Sequence, residues 1–362
     1  MVEGSMTQGA GQGPVTGSAA AWRPAASYTP TQRDTRLVPE DWTPTERDLP
    51  VVSLPPEDAA DGRPGQEEAP SVERGAETPP APGPLYVVGD VHGYLDELLR
   101  ALREQNLVDD EGHWCAGNAR LWFLGDFTDR GPDGVGVIDL VMQLSAEAAA
   151  SGGYAKALMG NHELLLLGAR RFGDTPVDSG AGTASFLAAW RLNGGQPGDM
   201  ERLRDHHVAW MSRLDAATVE DGHLLLHSDT TAYLDYGTSL DAVNDAVTGV
   251  LQRSDADECW ELFRRFTKRF AFRGEDGPVA VREMLKTYGG ERVVHGHSPI
   301  PYLVGDAGGE VPADGEDGRA PTVEGPYVYA DGLAVAMDGG VTMDGRLLVA
   351  RLPLSDGGAD LG

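Results

Sequence analysis

Lysine is nearly absent from this chain of 362 residues, which contains only Lys156, Lys268 and Lys286. Its 29 lysines and arginines stand against 57 aspartates and glutamates, which gives a formal net charge of −28. A protein that binds nucleic acid needs clustered basic residues to displace the counterions of the phosphate backbone. The charge balance therefore predicts that nucleic acid is not a partner.

Cysteine and long apolar runs are also scarce. Cys115 and Cys259 are the only cysteines, so the sequence predicts no disulfide framework and fits a reducing compartment. No apolar run approaches the roughly 20 residues that span a membrane, and the N-terminus lacks the basic-then-apolar pattern of a signal peptide. We expect a cytoplasmic protein without a membrane partner, and the sequence leaves its oligomeric state open.

Residues 1–83 differ in composition from the rest of the chain. They hold more than half of the 24 prolines and show no sustained apolar periodicity. A segment of this kind buries too little apolar surface to offset the loss of chain entropy on folding. We therefore predict a disordered, acidic tail over 1–83, a single folded domain over 84–355 and a short tail over 356–362.

Apolar strand patterns and amphipathic helix patterns alternate through the predicted domain. Strands are expected at 85–88, 121–124, 155–159, 224–226, 292–294, 327–329, 333–337 and 347–352. Helices are expected at 94–105, 133–149, 163–171, 184–192, 200–214, 239–251, 257–270 and 279–288. This succession is typical of an α/β sandwich. Residues 303–325, rich in Gly, Asp and Glu, are expected to form an acidic loop.

Five loops, each after an apolar strand, carry residues that bind metals or transfer protons. They are GDVHG at 89–93, GDFTDRG at 125–131, GNHE at 160–163, His227, and HGHSP at 295–299. Sites in α/β proteins form outside the carboxyl ends of strands, so we expect these loops to meet. Taken singly, Gly-Asp and Gly-Asn pairs are ordinary turn formers; their joint occurrence with two later histidines favours a site.

The donor types indicate a pair of divalent metal ions. Imidazole together with carboxylate and amide oxygen suits manganese, iron, zinc or nickel rather than calcium, and the lack of thiolate argues against a structural zinc. A carboxylate shared between two cations offsets their repulsion, and Asp126 is the candidate bridge. Such a pair makes hydroxide available at neutral pH for attack on phosphorus.

The five motifs, in this order, resemble those of the phosphoprotein phosphatase branch of the calcineurin-like metallophosphoesterases. The resemblance covers about residues 85–353 and implies a four-layer α/β/β/α sandwich with two metal ions, manganese being the first expectation. Met159, directly before GNHE, is similar to the apolar residue of the bacterial Shewanella-like phosphatases, whereas protein phosphatases of the family commonly have arginine there.

The resemblance also implies a role for each residue of the motifs. His162 would be the general acid that protonates the leaving alkoxide, oriented by Asp129, and Arg130 would contact phosphate oxygens. Arg273 would supply a second phosphate contact, with Arg264, Arg265 and Arg269 as nearby alternatives. The expected metal ligands are Asp90, His92 and Asp126 for the first ion, and Asp126, Asn161, His227 and His297 for the second.

The implied reaction is hydrolysis of a phosphomonoester, with phosphoserine or phosphothreonine in proteins as the expected substrate. One alternative is hydrolysis of a dinucleoside polyphosphate or another small phosphate ester. A different class of function is a catalytically silent binding module whose proline-rich tail recruits partners. The complete ligand set argues against the silent module, because degenerate members of such families usually lose a ligand.

Overall fold

The computed structural model describes residues 81–180, 182–304, 323–343 and 345–354. The predicted N-terminal tail, apart from residues 81–83, lies outside the described residues. The same holds for residues 305–322 of the predicted acidic loop and for the C-terminal residues 356–362.

The described residues form eleven strands and ten α-helices. The strands are β1 (Leu85–Val88), β2 (Arg120–Phe123), β3 (Tyr154–Ala157), β4 (Val177–Asp178), β5 (Thr183–Ala184), β6 (Ala217–Glu220), β7 (His223–Leu226), β8 (Arg292–His295), β9 (Tyr327–Tyr329), β10 (Ala334–Ala336) and β11 (Val349–Leu352). The helices are α1 (Leu95–Glu104), α2 (Gly134–Ala150), α3 (Asn161–Phe172), α4 (Phe186–Leu192), α5 (Pro197–Arg202), α6 (Asp205–Met211), α7 (Leu240–Arg253), α8 (Ala256–Phe266), α9 (Gly277–Tyr288) and α10 (Ile300–Val304).

Two sheets organise the fold. The first has the strand order β11-β1-β2-β3, in which β1, β2 and β3 run parallel and β11 is antiparallel to β1. The second has the order β6-β7-β8-β10-β9, in which β7, β8 and β10 run parallel between two antiparallel edge strands. Strands β4 and β5 form a separate two-stranded hairpin.

The two sheets pack face to face, with helices on their outer faces. Leu85 and Trp122 of the first sheet share one apolar core with Leu225 and Val294 of the second. Successive side chains of a strand point to opposite faces, so neighbours such as Phe123 face outward and join the second core, which contains the buried faces of the helices. These layers confirm the predicted four-layer α/β/β/α sandwich.

Helix starts follow local capping chemistry. The side chains of Asp133, Ser185, Ser239 and Asp255 each accept a hydrogen bond from a backbone N–H in the first turn of α2, α4, α7 and α8, respectively. Such a cap satisfies one of the donors that a helix start leaves without a partner, and contributes about 1 kcal/mol.

The predicted secondary structure is wrong in several places: β4, β5 and α10 were not predicted, and the helix expected over 257–270 ends at Phe266. The helix expected over 200–214 is divided into α5 and α6, because Leu203 and Arg204 adopt extended backbone conformations. Strand β6 was not predicted, since its sequence, ATVE, is short and its residues are only partly buried apart from Ala217. Among the described residues, no helix combines the length and the apolar character that crossing a bilayer requires.

Candidate metal centre

The five motif loops all follow the carboxyl ends of parallel strands. The loops after β1, β2 and β3 leave the first sheet, and those after β7 and β8 leave the second. Because both sets emerge at one edge of the sandwich, their polar side chains come into contact. The predicted convergence of the loops is therefore seen in the structure, and nearly every predicted ligand is almost completely buried.

Asp126 lies at the middle of this cluster. Its Oδ2 is 3.7 Å from Nε2 of His92, and its Oδ1 is 3.3 Å from Nε2 of His227. Potential ligand atoms of His92 and His162 form one group with Asp126, and those of His227 and His297 form another, each within 4.8 Å. The two carboxylate oxygens thus face two different groups, as a bridging ligand requires.

The remaining predicted ligands extend each group. Asp90 Oδ2 is 3.9 Å from Nε2 of His92 on the first side. On the second side, Oδ1 of Asn161 is 2.9 Å from Nε2 of His227, whose ring centroid lies 5.1 Å from that of His297. All six predicted metal ligands therefore gather in one buried cluster.

Hydrogen bonds to the backbone fix how the three histidines are presented. One ring nitrogen of each faces a carbonyl: His92 Nδ1 that of Thr128 (3.1 Å), His227 Nδ1 that of Leu124 (2.8 Å), and His297 Nε2 that of Thr267 (3.1 Å). A carbonyl only accepts, so that nitrogen carries the proton and the opposite one keeps its lone pair. Second-sphere contacts of this type orient metal-binding histidines, and the donor set fits divalent cations.

Burial and charge further prepare these groups to bind cations. Burial lowers the pKa of His92, His227 and His297, which favours the neutral form of each ring. Burial alone would raise the pKa of Asp126, but the adjacent histidines, His227 foremost, hold it below its ordinary value. Neutral imidazoles and an ionised carboxylate are the protonation states in which these side chains act as ligands.

Asp338 is a further buried carboxylate at this site that the sequence motifs did not assign. It follows β10, another parallel strand, and is 3% exposed. Burial and the neighbouring charges of Asp338 and Asp126 raise the pKa of Asp90, while burial raises that of Asp338 to about 6. Crowded buried carboxylates repel one another, and cations relieve that repulsion. The position of Asp338 at the end of a strand was the available sequence signal.

Glu163 and two glycines hold the backbone of the cluster. The Glu163 carboxylate accepts hydrogen bonds from the N–H groups of Asp126 (2.7 Å) and Phe127 (2.8 Å), so it supports the backbone on which Asp126 lies. A Cβ at Gly160 would lie 2.3 Å from Asp126 Oδ1, and one at Gly296 would lie 2.1 Å from Asp90 Oδ1. Glycine is required at both positions because the backbone passes directly against a ligand.

Several site residues adopt left-handed backbone conformations that side chains disfavour. The φ angles are 49° for His92, 54° for Asp126, 69° for Asp129, 66° for Arg130 and 65° for His297. Such conformations cost of order 1–3 kcal/mol each and persist where the surroundings fix them, often at functional sites. These conformations lower the stability of the folded protein, and they set the directions in which the five side chains point.

The predicted proton donor and phosphate-binding arginine adjoin the first group. His162 Nδ1 lies 2.7 Å from Asp129 Oδ2, and both side chains are buried. Arg130 is exposed, and its guanidinium lies 2.7 Å from Nε2 of His92 and 3.0 Å from Nε2 of His162. The positively charged guanidinium of Arg130 therefore lies beside Nε2 of His162, the nitrogen that would donate a proton.

The second phosphate-binding arginine stays a prediction. The guanidinium of Arg273 lies 5.8 Å from the ring centroid of Phe270. Arg269 has a more direct electrostatic relation to the cluster, because its charge helps to lower the pKa of His227 and His297. Arg264 and Arg265 instead pair with Glu261. Arg269 is therefore the alternative that the structure favours.

Asp229 is another supporting residue without a role in the sequence motifs. It is completely buried; its Oδ1 accepts a hydrogen bond from Ser298 Oγ (2.6 Å) and its Oδ2 one from the N–H of Phe270 (2.8 Å). It thereby joins the loop of His297 to the segment whose Thr267 carbonyl faces the His297 ring. His295, two residues before His297, contacts Tyr329 OH through Nε2 at 2.7 Å.

A family model agrees with this geometry. The model described as calcineurin-like phosphoesterase matches residues 83–301, which is more than half of the chain. The chain belongs to this family. Members of this family use divalent metal ions, and the match confirms the resemblance seen in the five motifs.

The curated relatives include protein phosphatases and dinucleoside tetraphosphatases. Shewanella-like protein phosphatase 2 of Arabidopsis thaliana is 31% identical over 84 residues, which cover 23% of this chain and 22% of the relative. A symmetrical bis(5'-nucleosyl)-tetraphosphatase of Bordetella parapertussis is 28% identical over 158 residues, covering 44% of this chain and 48% of the relative. The match spans about a quarter of the length of the first curated relatives.

A solved structure shares the fold of this calcineurin-like chain. The cold-active protein tyrosine phosphatase of a psychrophilic Shewanella species aligns with a TM-score of 0.52 and 20% identity, covering 74% of this chain and 75% of that one. At this identity the likeness concerns the fold. The Shewanella-like protein phosphatases among the curated relatives agree with the subgroup that Met159 indicated.

Proposed function

We propose that the chain is a two-metal phosphomonoester hydrolase that acts on phosphoserine and phosphothreonine in proteins. The observation that carries the proposal is the position of Asp126, whose two oxygens face two groups of buried ligands. A proton donor and an arginine adjoin those groups. Together they supply what hydrolysis of a phosphate ester needs.

The cluster provides ligands for both ions. Asp90, His92 and Asp126 would hold the first, and Asp126, Asn161, His227 and His297 the second. When bound, two divalent ions, with manganese first and iron, zinc or nickel as alternatives, supply hydroxide at neutral pH and neutralise charge on the phosphoryl group.

The protein's own side chains then bind the phosphoryl group and protonate the leaving group. Arg130 exchanges its contacts with ring nitrogens for two phosphate oxygens, which suits its planar fork. As the bond between phosphorus and the ester oxygen breaks, His162 donates the proton on Nε2 to that oxygen. Asp129 accepts from Nδ1–H, so it both orients the ring and stabilises its charged form.

Removal of the proton donor tests these roles. His162→Ala is expected to lower kcat by about 10²–10⁴-fold, the usual contribution of a general acid, while the metal content measured by elemental analysis stays at the wild-type value. Wild-type turnover in His162→Ala would remove the residue as the acid. Wild-type protein that binds no manganese, zinc, iron or nickel would contradict the two-metal centre itself.

The preferred substrate can be identified by comparing kcat/KM for the candidate substrates. Phosphoserine and phosphothreonine peptides are expected to give the highest kcat/KM, measured by phosphate release against a phosphotyrosine peptide and diadenosine tetraphosphate. Dinucleoside polyphosphate hydrolysis is the second candidate, because symmetrical bis(5'-nucleosyl)-tetraphosphatases are among the relatives. Higher kcat/KM for diadenosine tetraphosphate would select that alternative.

A catalytically silent binding module is the remaining alternative, with residues 1–83 recruiting partners. All six residues proposed as ligands are buried in one cluster, which supports an active centre over a silent one. Deletion of residues 1–80 is expected to leave kcat unchanged if those residues only recruit partners. Loss of turnover in the truncated chain would assign them a part in catalysis.

A further inference from the structure

We propose that Trp190, on α4, is a positioning residue that holds the Asp129–His162 pair in its proton-donating arrangement. The inference rests on the proposed function, since it assigns a role in the same reaction. Trp190 belongs to none of the five motif loops, and it lies 61 residues from Asp129 along the chain.

The contact is direct and buried. The indole N–H of Trp190 donates to Asp129 Oδ1 at 2.7 Å, while Asp129 Oδ2 lies 2.7 Å from Nδ1 of His162. Trp190 is 3% exposed and Asp129 is completely buried. Each carboxylate oxygen therefore has its own donor, and the indole N–H prevents the carboxylate from rotating about its axis.

The turn that follows α4 supports the same segment through its backbone. Asp129 and Arg130 have left-handed φ angles of 69° and 66°, which require support from neighbouring groups. The N–H of Arg130 donates to the carbonyl of Gly194 at 2.7 Å, and the side-chain amide of Gln196 donates to the carbonyl of Arg130 at 3.3 Å. One short helix and its turn thus hold both the acid pair and the arginine.

Close packing restricts the orientation of the Trp190 indole. A Cβ at Gly195 would lie 2.2 Å from the ring of Trp190, so the backbone of the turn lies flat against the indole. Ser185 caps the start of α4 by accepting from the N–H of Ala188, and Phe186 at the first position is completely buried. The direction of the N–H is therefore set by the fold.

Loss of this hydrogen bond should weaken proton donation specifically. A hydrogen bond to a charged group is stronger than one between neutral groups, and its loss leaves a buried carboxylate oxygen short of a donor. The His162 ring is then less firmly directed. The effect should grow with the basicity of the leaving oxygen, because only a strongly basic leaving group needs a proton.

The test replaces the indole and varies the leaving group. Trp190→Phe is expected to lower kcat for phenyl phosphate by about ten-fold or more, and kcat for 4-nitrophenyl phosphate, whose leaving group is far less basic, by only about two-fold. KM and the metal content should stay near the wild-type values. Trp260→Phe is the matched control, because the indole N–H of Trp260 is buried without a hydrogen-bond partner among the described residues.

A second variant distinguishes loss of the hydrogen bond from misfolding. Site-specific replacement of Trp190 by its benzothienyl analogue keeps the bicyclic shape and removes only the N–H, and it should reproduce the selective loss for phenyl phosphate. Equal losses for the two esters, or kinetics like those of Trp260→Phe, would overturn the inference. Wild-type protein that hydrolyses neither ester would instead overturn the proposed function, and the inference with it.

Discussion

The two sides of the candidate metal centre are built differently. On the first side, Nε2 of His92 lies beside Arg130, and the ring centroid of His92 is 4.7 Å from that of His162. On the second side, His227 and His297 contact each other, an amide oxygen and backbone carbonyls. Arg130 and His162, which would bind phosphate and donate the proton, therefore both lie on the first side.

Charge follows the same division. The first side contains the carboxylates of Asp90 and Asp338, and the charge of Asp338 helps to raise the pKa of Asp90. The second side adds the neutral amide of Asn161. Asp126 contributes to both groups of potential ligands. We call the first side the chemical side, because Arg130 and His162 would act on the substrate there. The second side would mainly hold a cation.

The largest effect is expected from removing the shared ligand. Asp126→Asn should lose both metal ions and all measurable turnover, because an amide offers one ligating oxygen and no charge to offset the repulsion between two cations. His227→Ala should lose only the ion of the second side. Elemental analysis of the purified variants gives the number of ions per chain.

His223→Ala serves as the control for these two variants, since His223 is a buried histidine of β7 that belongs to none of the potential metal-binding groups among the described residues. It should keep the wild-type metal content. Loss of both ions in His227→Ala would show that the two sides do not bind metal ions independently, and the division of the centre into two sides would be wrong.

A smaller effect is expected from Asp229→Asn. The Asp229 carboxylate accepts from both Ser298 and Phe270, whereas an asparagine must turn its NH₂ group toward one of these donors. Support of this kind is typically worth about 10–100-fold in metal affinity. Titration with manganese should therefore show weakened binding on the second side alone.

Asp338→Asn is the matching change on the other side. It removes a buried carboxylate next to Asp90 and should weaken binding on the first side, with the second-side affinity retained. If Asp229→Asn and Asp338→Asn weaken the same binding event, the division of the centre into two sides is wrong.

The sequence predicted the ligands because their positions depend on local chemistry. Strands such as β1 and β2 are short apolar runs, and Gly-Asp pairs at their ends leave the sheet in the expected direction. Asn161 and His162 open α3, whose apolar periodicity begins just beyond them. Strand, turn and ligand are adjacent in sequence, so one pattern carries all three.

The supporting residues could not be predicted in this way. Trp190 reaches Asp129 across 61 residues, and Asp229 reaches Ser298 across 69. Their roles come from tertiary contacts between elements whose own sequences are those of an ordinary helix and loop. The break between α5 and α6 has a similar origin, because Leu203 is extended and buried in the core although its neighbours favour a helix.

The smallest effect concerns the turn that carries Arg130. Gln196 is partly exposed, and its amide donates to the carbonyls of Arg130 and Gly194 at 3.3 and 3.1 Å. One neutral hydrogen bond in such a place contributes about 0.5–1 kcal/mol, so Gln196→Ala should raise KM about two- to five-fold. Because Arg130 would bind phosphate on the chemical side, kcat and metal content should change little. Steady-state kinetics with a phosphoserine peptide measure both constants, and a fall in kcat at constant KM would show that this turn supports the proton donor rather than the arginine.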